Sequence, residues 1–311
     1  MSINIGNIKL KNNLFLAPMV DVTDIAFRTL CRKEGAAMAY TEMIYIDAIL
    51  HENDRTKKLL KFGGREDRPL GLQVTGNNLV EFTKFSKLKM LDDYDLMDIN
   101  CGCPSVKITG NEAGSYLLKT PAKIGDIIKV LKDAGYIVTA KIRLGFKNNN
   151  VLEVSKIVEK AGADLLTIHA RTADQRPSEP ADWSWISKVK KDIGIPIVGN
   201  GGIINGETAS KMLEICDGAM VASAAIGNPF VFREILRYLK TGKEKEITKF
   251  ERINGFMDYI KIAEKYNVFE MSRVKYVGSN FLKGFDGASK ARQDLMKIKN
   301  LEEIEKFVRK I

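Results

Sequence analysis

The chain is poor in the residues that bind transition metals. Among its 311 residues are only two histidines and four cysteines, namely His51, His169, Cys31, Cys101, Cys103 and Cys216. A structural zinc site needs about four Cys or His ligands, usually in closely spaced pairs, so we expect no metal site. Four scattered cysteines also indicate a reducing compartment rather than a disulfide framework.

We expect neither a membrane-spanning segment nor a leader peptide. No apolar run approaches the roughly 20 residues that cross a bilayer, and no charged-then-apolar stretch opens the chain. We therefore expect a cytoplasmic protein without a membrane partner. We also expect it to be a monomer. No G-x-G-x-x-G motif follows the first predicted strand, which argues against an open, doubly wound dinucleotide-binding sheet.

Acidic residues are outnumbered, and the basic excess is concentrated near the C-terminus. The net charge is +10, with 49 Lys and Arg against 39 Asp and Glu. Residues 241–311 hold 16 basic and 11 acidic residues, a net of +5 in 71 residues. A basic surface favours polyanions such as nucleic acid, although a solvated lysine-rich surface would account for the charge equally well.

Short apolar, β-branched runs recur eight times, and segments with helical spacing lie between them. The runs cover residues 13–19, 36–43, 69–75, 96–102, 137–145, 165–171, 195–202 and 218–225. Helical candidates include residues 23–34, 77–91, 151–161, 206–215 and 229–240. Strand alternating with helix eight times over about 240 residues predicts an α/β fold, a TIM (β/α)8 barrel.

The repeating strand pattern stops after Lys240. Residues 249–311 show helical spacing, so the prediction is a barrel domain over 1–240 and a small all-α helical domain over 241–311, joined by the charged stretch 241–248. For the first helix of the barrel, Thr23 or Asp21 is the expected N-cap, with Asp24 in the first turn.

Polar side chains gather at the predicted C-terminal strand ends, where TIM barrels carry their active sites. They are Met19 with Asp21, Glu42, Gln73, Asn100 with Cys103, Lys141 with Arg143, His169 with Arg171, and Asn200. The last two strands end in small-residue turns, 199–203 and 222–228, which allow backbone N–H groups to approach a phosphate. We expect Cys101 to be buried, and Cys103, between Gly102 and Pro104, to be accessible as a proton donor.

Taken together, these motifs resemble the tRNA-dihydrouridine synthases, FMN-dependent barrels with a C-terminal helical RNA-binding domain. The resemblance rests on APMVDVTDIAFR (17–28), GLQVTG (71–76), DINCGCPSVK (98–107), GSYLL (114–118), KIRLG (141–145), TIHARTADQ (167–175), ADW (181–183), GNGGI (199–203), GNPFVF (227–232) and NFLKGFDGASKARQDL (280–295). It implies reduction of the C5=C6 bond of uridine in tRNA, with hydride from reduced FMN to C6 and a proton to C5. NADPH is the implied reductant of the flavin.

The resemblance also implies residue roles. Cys103 matches the general acid, and a thiol with its ordinary pKa near 8.5 still carries its proton at neutral pH. Matches to FMN contacts are Pro18, Met19, Gln73, Lys141, His169, Asn200, Gly201, Gly202, Ala222 and Ser223. Asn100 matches the residue at the uracil edge, and Arg171 and Arg176 match positions near RNA phosphates. In the basic tail, the candidates for RNA binding are Arg273, Lys275, Lys283, Lys290 and Arg292.

Several positions depart from the family pattern. The family usually has Gly at Asp21, Pro at Ala26, Asp at Gly202 and Gly-Arg at Ala222 and Ser223. Without that arginine, a possible side-chain contact to the FMN phosphate is lost. Two alternatives stay open from the sequence. One is an FMN-dependent barrel oxidoreductase acting on a free pyrimidine-like small molecule, and the other is a catalytically silent RNA-binding barrel.

Overall fold

Eight parallel strands form the centre of the protein. The computed structural model describes residues 3–51, 54–308 and 310–311. The strands are β1 (Leu14–Leu16), β2 (Ala39–Tyr40), β3 (Leu70–Thr75), β4 (Leu96–Cys101), β5 (Val138–Arg143), β6 (Leu165–His169), β7 (Ile197–Asn200) and β8 (Gly218–Val221). Nearly every residue in them is buried, as expected for strands covered on both faces.

The strands close into a barrel. Hydrogen bonds connect them in the order β1-β8-β7-β6-β5-β4-β3-β2. The Leu16 N–H then donates to the Met38 carbonyl at 2.9 Å, and a parallel bridge joins Phe15 to Met38, so β1 lies beside β2. The predicted TIM barrel is confirmed. A short strand, Ile44–Tyr45, which pairs with β3, and an N-terminal hairpin, Asn4–Ile5 with Ile8–Lys9, were not predicted.

Helices follow the strands and surround them. They are α1 (Ile25–Lys33), α2 (Ile46–Leu50), α3 (Asp54–Leu59), α4 (Leu79–Phe85), α5 (Val106–Thr109), α6 (Pro121–Asp133), α7 (Val151–Lys160), α8 (Ser184–Asp192), α9 (Gly206–Leu213) and α10 (Val231–Thr241). Shorter 3₁₀ turns cover Gly64–Asp67, Lys89–Asp93, Gly114–Lys119 and Ser223–Ala225. No helix in the described ranges is long and apolar enough to cross a membrane.

The N-cap predicted for α1 is wrong by one to three residues. Asp24 is the cap, and its Oδ1 accepts the Phe27 N–H at 2.8 Å. Thr23 cannot serve, because its hydroxyl is bonded to the backbone of Met19 in the preceding turn. Asp21 lies further upstream in a left-handed conformation.

Two apolar clusters form the core. The smaller one lies within the barrel and includes Phe15, Met38, Tyr40, Leu96, Leu165, Val198 and Met220, with Ile3, Ile5 and Leu10 from the region of the N-terminal hairpin. The larger one fills the layer between strands and helices and continues into the C-terminal helices.

The C-terminal region is helical, as predicted. It contains α11 (Lys249–Lys265), α12 (Met271–Phe281), α13 (Ala288–Lys297) and α14 (Leu301–Val308). α11 packs against α1, where Phe27 and Tyr259 meet edge to face at 6.4 Å. The residues whose spacing predicted a buried helical face, Phe256, Tyr259, Ile260 and Ala263, are all buried. The helical region is therefore fixed to the barrel near the end of β1.

Candidate active site

Strand register brings the predicted site residues to one rim of the barrel. Lys141 on β5 lies opposite Asn100 on β4, while His169 on β6 lies opposite Arg143 on one side and Asn200 on the other. In a parallel barrel the C-terminal strand ends face one mouth. The side chains selected from the sequence at these strand ends therefore surround a common opening.

The loop after β4 presents Cys103. Of the four cysteines, only Cys103 is not buried, and Cys101 is fully buried in the strand, as predicted. The Asn100 Oδ1 atom accepts the N–H groups of Gly102 at 3.1 Å and Cys103 at 2.9 Å. The Cys103 carbonyl accepts the Ser115 N–H at 3.0 Å. Both ends of the Cys103 backbone are thus fixed.

Two residues without an assigned role also shape this loop. Gly114 has φ +60°, and a Cβ atom there would lie 2.8 Å from the Cys103 carbonyl oxygen, so a larger residue would push the loop away. The Arg143 side chain donates from Nε to the Gly102 carbonyl and from Nη1 to the Thr172 carbonyl, both at 2.8 Å. Both residues lie in the motifs GSYLL and KIRLG, but the motifs do not show what they contact.

A buried polar chain lies beneath the loop. Asn100 Nδ2 donates to Gln73 Oε1 at 2.9 Å, and Gln73 Nε2 donates to Asp98 Oδ2 at 2.7 Å. The Asn100 oxygen already accepts two hydrogen bonds, and one of its two amide hydrogens is used. Only the other amide hydrogen is left for the predicted contact with the uracil edge. Nothing in the sequence marks Asp98 as the partner of Gln73, because it lies inside an apolar strand.

Lys141 and Asn200 contact each other on the opposite side. The Lys141 Nζ donates to Asn200 Oδ1 at 3.2 Å, and Asn200 Nδ2 donates to the Met220 carbonyl at 2.8 Å. Burial, followed by the neighbouring Arg143 charge, lowers the Lys141 pKa to about 8, while Asp98 opposes the shift. A half-buried cation with an amide as its nearest partner is suited to an anionic ligand.

His169 is held as a neutral ring. Burial, together with the positive charges of Lys141, Arg143 and Arg171, lowers its pKa to about 2. Arg171 Nη1 lies 3.0 Å from His169 Nε2. A guanidinium only donates, so Nε2 is the acceptor and the ring proton is on Nδ1.

Arg171, expected near RNA phosphates from the resemblance, lies mostly inside the protein. The residue is only 8% exposed, and its Nε donates to the Glu179 carbonyl at 2.7 Å. Its contacts make it a support for His169. Arg176, in the same loop, is exposed.

The turns after β7 and β8 are open and rich in small residues. Gly201 and Gly202 have φ +101° and +78°, conformations that favour glycine. A Cβ atom on Gly201 would lie 2.7 Å from His169 Cδ2. The Trp183 Nε1–H donates to the Gly201 carbonyl at 2.8 Å. Across the rim Ser223 is exposed and Ala222 is half-buried, as are Pro18 and Met19 after β1.

Asp21 has a structural consequence. The residue has φ +62°, which explains why glycine would suit this position. Its N–H donates to Glu42 Oε2 at 2.6 Å. Glu42 therefore holds the β1 turn as well as contacting the helical region.

Arg273, one of the tail candidates for RNA binding, is turned away from solvent. Its side chain is 8% exposed and forms a close ion pair with Glu42 and a second with Asp24 at 3.5 Å. Tyr259 adds a hydrogen bond to Asp24 Oδ2 at 3.0 Å. A buried guanidinium paired with two barrel carboxylates connects the barrel to the helices.

The other predicted tail cations differ in accessibility. Lys283 and Lys290 are exposed, and Lys283 Nζ donates to Asn280 Oδ1 at 2.6 Å. Arg292 is half-buried and donates to the Leu282 carbonyl at 2.8 Å, while Lys275 donates to the Met296 carbonyl. Of the five predicted tail cations, Lys283 and Lys290 are therefore the most open to a partner.

The rim as a whole is positively charged. Lys141, Arg143 and Arg171 converge around His169. Burial lowers the pKa of each of the four groups, and neighbouring positive charges lower the pKa of Lys141, Arg143 and His169 further. Within residues 3–51, 54–308 and 310–311, no cluster of three or more His, Cys, Asp or Glu is placed to hold a metal ion. The chemistry of this side-chain set is that of anion binding beside a thiol.

The chain is similar along nearly its whole length to known proteins. The family model described as Dihydrouridine synthase (Dus) matches residues 15–311. A probable tRNA-dihydrouridine synthase from Aquifex aeolicus is 34% identical over 307 residues, covering 96% of this chain and 95% of that protein. The tRNA-dihydrouridine synthase B of Pseudomonas putida is 36% identical over 260 residues, covering 81% of this chain and 77% of that protein.

A solved structure shares the fold. The old yellow enzyme homologue from Zymomonas mobilis has a TM-score of 0.56 and 12% identity, over 79% of this chain and 94% of that one. At this identity the likeness concerns the barrel alone. The family match spans nearly the whole chain and agrees with the resemblance seen in the motifs, so the chain belongs to the dihydrouridine synthase family.

Proposed function

We propose that this protein is a tRNA-dihydrouridine synthase that reduces the C5=C6 bond of uridine with FMN as its cofactor and NADPH as the reductant. The observation that carries the proposal is the half-buried Cys103 thiol, held by its backbone at the mouth of a barrel whose rim also carries Lys141 and His169. A proton donor beside an anion-binding rim is what reduction of an enone-like double bond requires.

The residues present fit FMN. The backbone N–H groups of Gly202 and Ser223 have no acceptor among the described residues, so both can donate to a phosphate. The turns of Asn200, Gly201, Gly202, Ala222 and Ser223 would therefore hold the phosphate end without the arginine usual in the family. Pro18, Met19, Gln73, Lys141 and His169 would surround the ring. When bound, FMN supplies the hydride that is added to C6 of the uracil.

The side chains of the protein have distinct tasks in this proposal. The Lys141 ammonium would stabilise negative charge at the pyrimidine end of the cofactor. The Nδ1–H of His169, left free by the Arg171 contact, would donate a hydrogen bond at the same site. Cys103 would deliver its proton to C5 as the enolate of the uracil collapses, and the remaining amide hydrogen of Asn100 is available for a uracil oxygen.

The helical region is proposed to present the tRNA. Under this proposal residues 1–240 form the catalytic domain and 241–311 a tRNA-binding domain, with the protein working as a monomer in the cytoplasm. A uridine in folded tRNA must leave its stack to reach a barrel mouth, at a cost of a few kcal/mol. Exposed cations such as Lys283 and Arg176 would offset that cost by contacting phosphates.

The test combines an absorption spectrum with nucleoside mass spectrometry. The purified protein should show flavin absorption bands, and tRNA incubated with it and NADPH should contain uridine that has gained two mass units. Flavin without that gain would favour a small-molecule oxidoreductase. A protein that binds tRNA but takes up no FMN would favour the silent RNA-binding alternative.

A further inference from the structure

Asp98 is a buried carboxylate that the proposed chemistry does not use. It lies in the middle of β4 and is 1% exposed. Its Oδ1 accepts the Thr139 hydroxyl at 2.5 Å, and its Oδ2 accepts Gln73 Nε2 at 2.7 Å. Gln73 in turn contacts Asn100, whose oxygen holds the Cys103 loop. A continuous hydrogen-bonded chain thus connects a buried anion to the backbone of the thiol-bearing residue.

The backbone N–H groups at one end of this hydrogen-bonded series determine which atom donates and which accepts in every bond. The N–H groups of Gly102 and Cys103 can only donate, so the Asn100 atom that faces them must be its oxygen. The Asn100 amide nitrogen then faces Gln73, which must offer its own oxygen. That leaves the Gln73 amide nitrogen facing Asp98, where only an acceptor fits.

The protonation state of Asp98 suits a hydrogen-bond acceptor. Burial raises its pKa to about 6, while hydrogen bonds from Gln73 and Thr139 and the charge of Lys141 oppose the shift, so the carboxylate is the major form at neutral pH. The other titratable groups that interact with it are Tyr40 and Cys101, whose pKa values are both raised. Both are neutral at pH 7, and among the described residues neither donates a hydrogen bond to Asp98.

We propose that Asp98 is a positioning residue, the anionic terminus that fixes the amide orientations of Gln73 and Asn100 and thereby the Cys103 loop. The inference deepens the proposed function, on which it rests for the role of Cys103. Gln73 and Asn100 are amides that could each rotate by 180° with little change in shape. A carboxylate at the end of the chain removes that freedom, because it cannot donate.

The test measures hydrogen exchange at the amides of Gly102 and Cys103 in the full-length protein with FMN, without tRNA. Asp98→Leu removes the acceptor at similar size and should speed exchange at both amides at least tenfold. In turnover with NADPH and tRNA the same variant should lower kcat at least tenfold and leave KM for tRNA within twofold. Thr139→Val, the matched control, removes only the second donor to Asp98 and should leave exchange within twofold.

A reciprocal exchange of groups guards against a variant that fails to fold. Gln73→Glu alone places two carboxylates together and should disrupt the loop. Adding Asp98→Asn leaves one carboxylate, at position 73, and one amide, at position 98. Asn100 can then still donate to position 73 and keep its orientation, so exchange should return to within about threefold of the wild type. Because exchange is measured without substrate, its result does not depend on whether dihydrouridine is formed.

Two results would overturn the proposal. One is an Asp98→Leu protein that folds and shows unchanged exchange at Gly102 and Cys103. The other is a Gln73→Glu/Asp98→Asn protein that exchanges as fast as Gln73→Glu alone. If Asp98→Leu does not fold, the reciprocal pair decides alone.

Discussion

The polar side chains of the barrel mouth share a direction, whereas those of the C-terminal helical region do not. At the mouth, Asn100 contacts Gln73 and Lys141 contacts Asn200, because parallel register brings these strand ends to one rim. In the helical region, the cations point in several directions. Arg273 turns into the protein toward Glu42, whereas Lys283 faces solvent. A strand end therefore predicts where a side chain points, and a basic composition does not.

The largest effect should come from breaking the chemistry of the mouth. Cys103→Ala should lower dihydrouridine formation by about 10²- to 10⁴-fold, the usual contribution of a general acid. Flavin content and tRNA affinity should be retained, because the Cys103 backbone and not its thiol makes the loop contacts. Nucleoside mass spectrometry and flavin absorbance measure the two properties separately.

Cys101→Ala is the matched control for that variant. Cys101 is fully buried two residues earlier in the same motif, and burial raises the pKa of its thiol well above the ordinary value. Its loss should cost some stability through a small cavity and leave turnover nearly unchanged. Normal turnover by the Cys103→Ala protein would remove Cys103 from the role of proton donor.

The second effect concerns a tail cation that belongs to the barrel contact. Arg273→Met should lower the free energy of unfolding by about 3–5 kcal/mol, because it leaves Glu42 and Asp24 buried without their cation. Burial already raises the pKa of both carboxyls, and Arg273 opposes that rise. The folded variant should bind protons more readily, so its deficit should grow as pH rises above about 4.5 and shrink below it.

Urea unfolding at pH 7 and pH 4 measures this deficit. Lys290→Met is the control, since that side chain is exposed on α13 and should change stability by less than about 0.5 kcal/mol. Equal stabilities of the two variants would show that the Arg273 ion pairs do not hold the helical region. The comparison between buried and exposed tail cations would then fail.

The sequence predicted the mouth far better than the tail for a physical reason. Alternation along a strand and the common direction of parallel strands indicate that Lys141 and His169 share a rim. Helical spacing predicted the buried face of Phe256 and Tyr259 in the same way. Such patterns do not predict long-range partners. The residues near Arg273 in the chain do not indicate its contact with Glu42, which is 231 residues away.

Asp98 and Arg143 show the same limit within the barrel. Asp98 interrupts an apolar strand, and its partners Gln73 and Thr139 belong to neighbouring strands. Arg143 holds the Gly102 carbonyl across a strand pair. Residues that face the mouth could be selected from their positions at strand ends, whereas residues that hold them in place required the contacts themselves.

A third, smaller effect is the pH dependence of the cationic side of the mouth. The Lys141 pKa of about 8 means that its ammonium is lost as pH rises through 8. FMN affinity should therefore fall with increasing pH above that value, approaching tenfold per pH unit if the charge is essential. Lys141→Arg should keep its charge and abolish this fall. Fluorescence titration with FMN at pH 7, 8 and 9 measures it, and a flat profile in the unmodified protein would contradict a contact between Lys141 and the cofactor.

The smallest effect tests whether the exposed tail cations contact RNA at all. Lys283→Ala and Lys290→Ala should each weaken tRNA binding a few-fold and lower the slope of log affinity against log salt by about 0.7–0.9, the amount expected for one lost phosphate contact. The control is Lys129→Ala, an equally exposed lysine on α6 at the outside of the barrel, which should change neither quantity. Filter binding over a range of salt concentrations measures both. If Lys129→Ala lowers the slope as much as Lys283→Ala does, the tail has no special role, and its charge is the general solvated surface that the composition alone would equally explain.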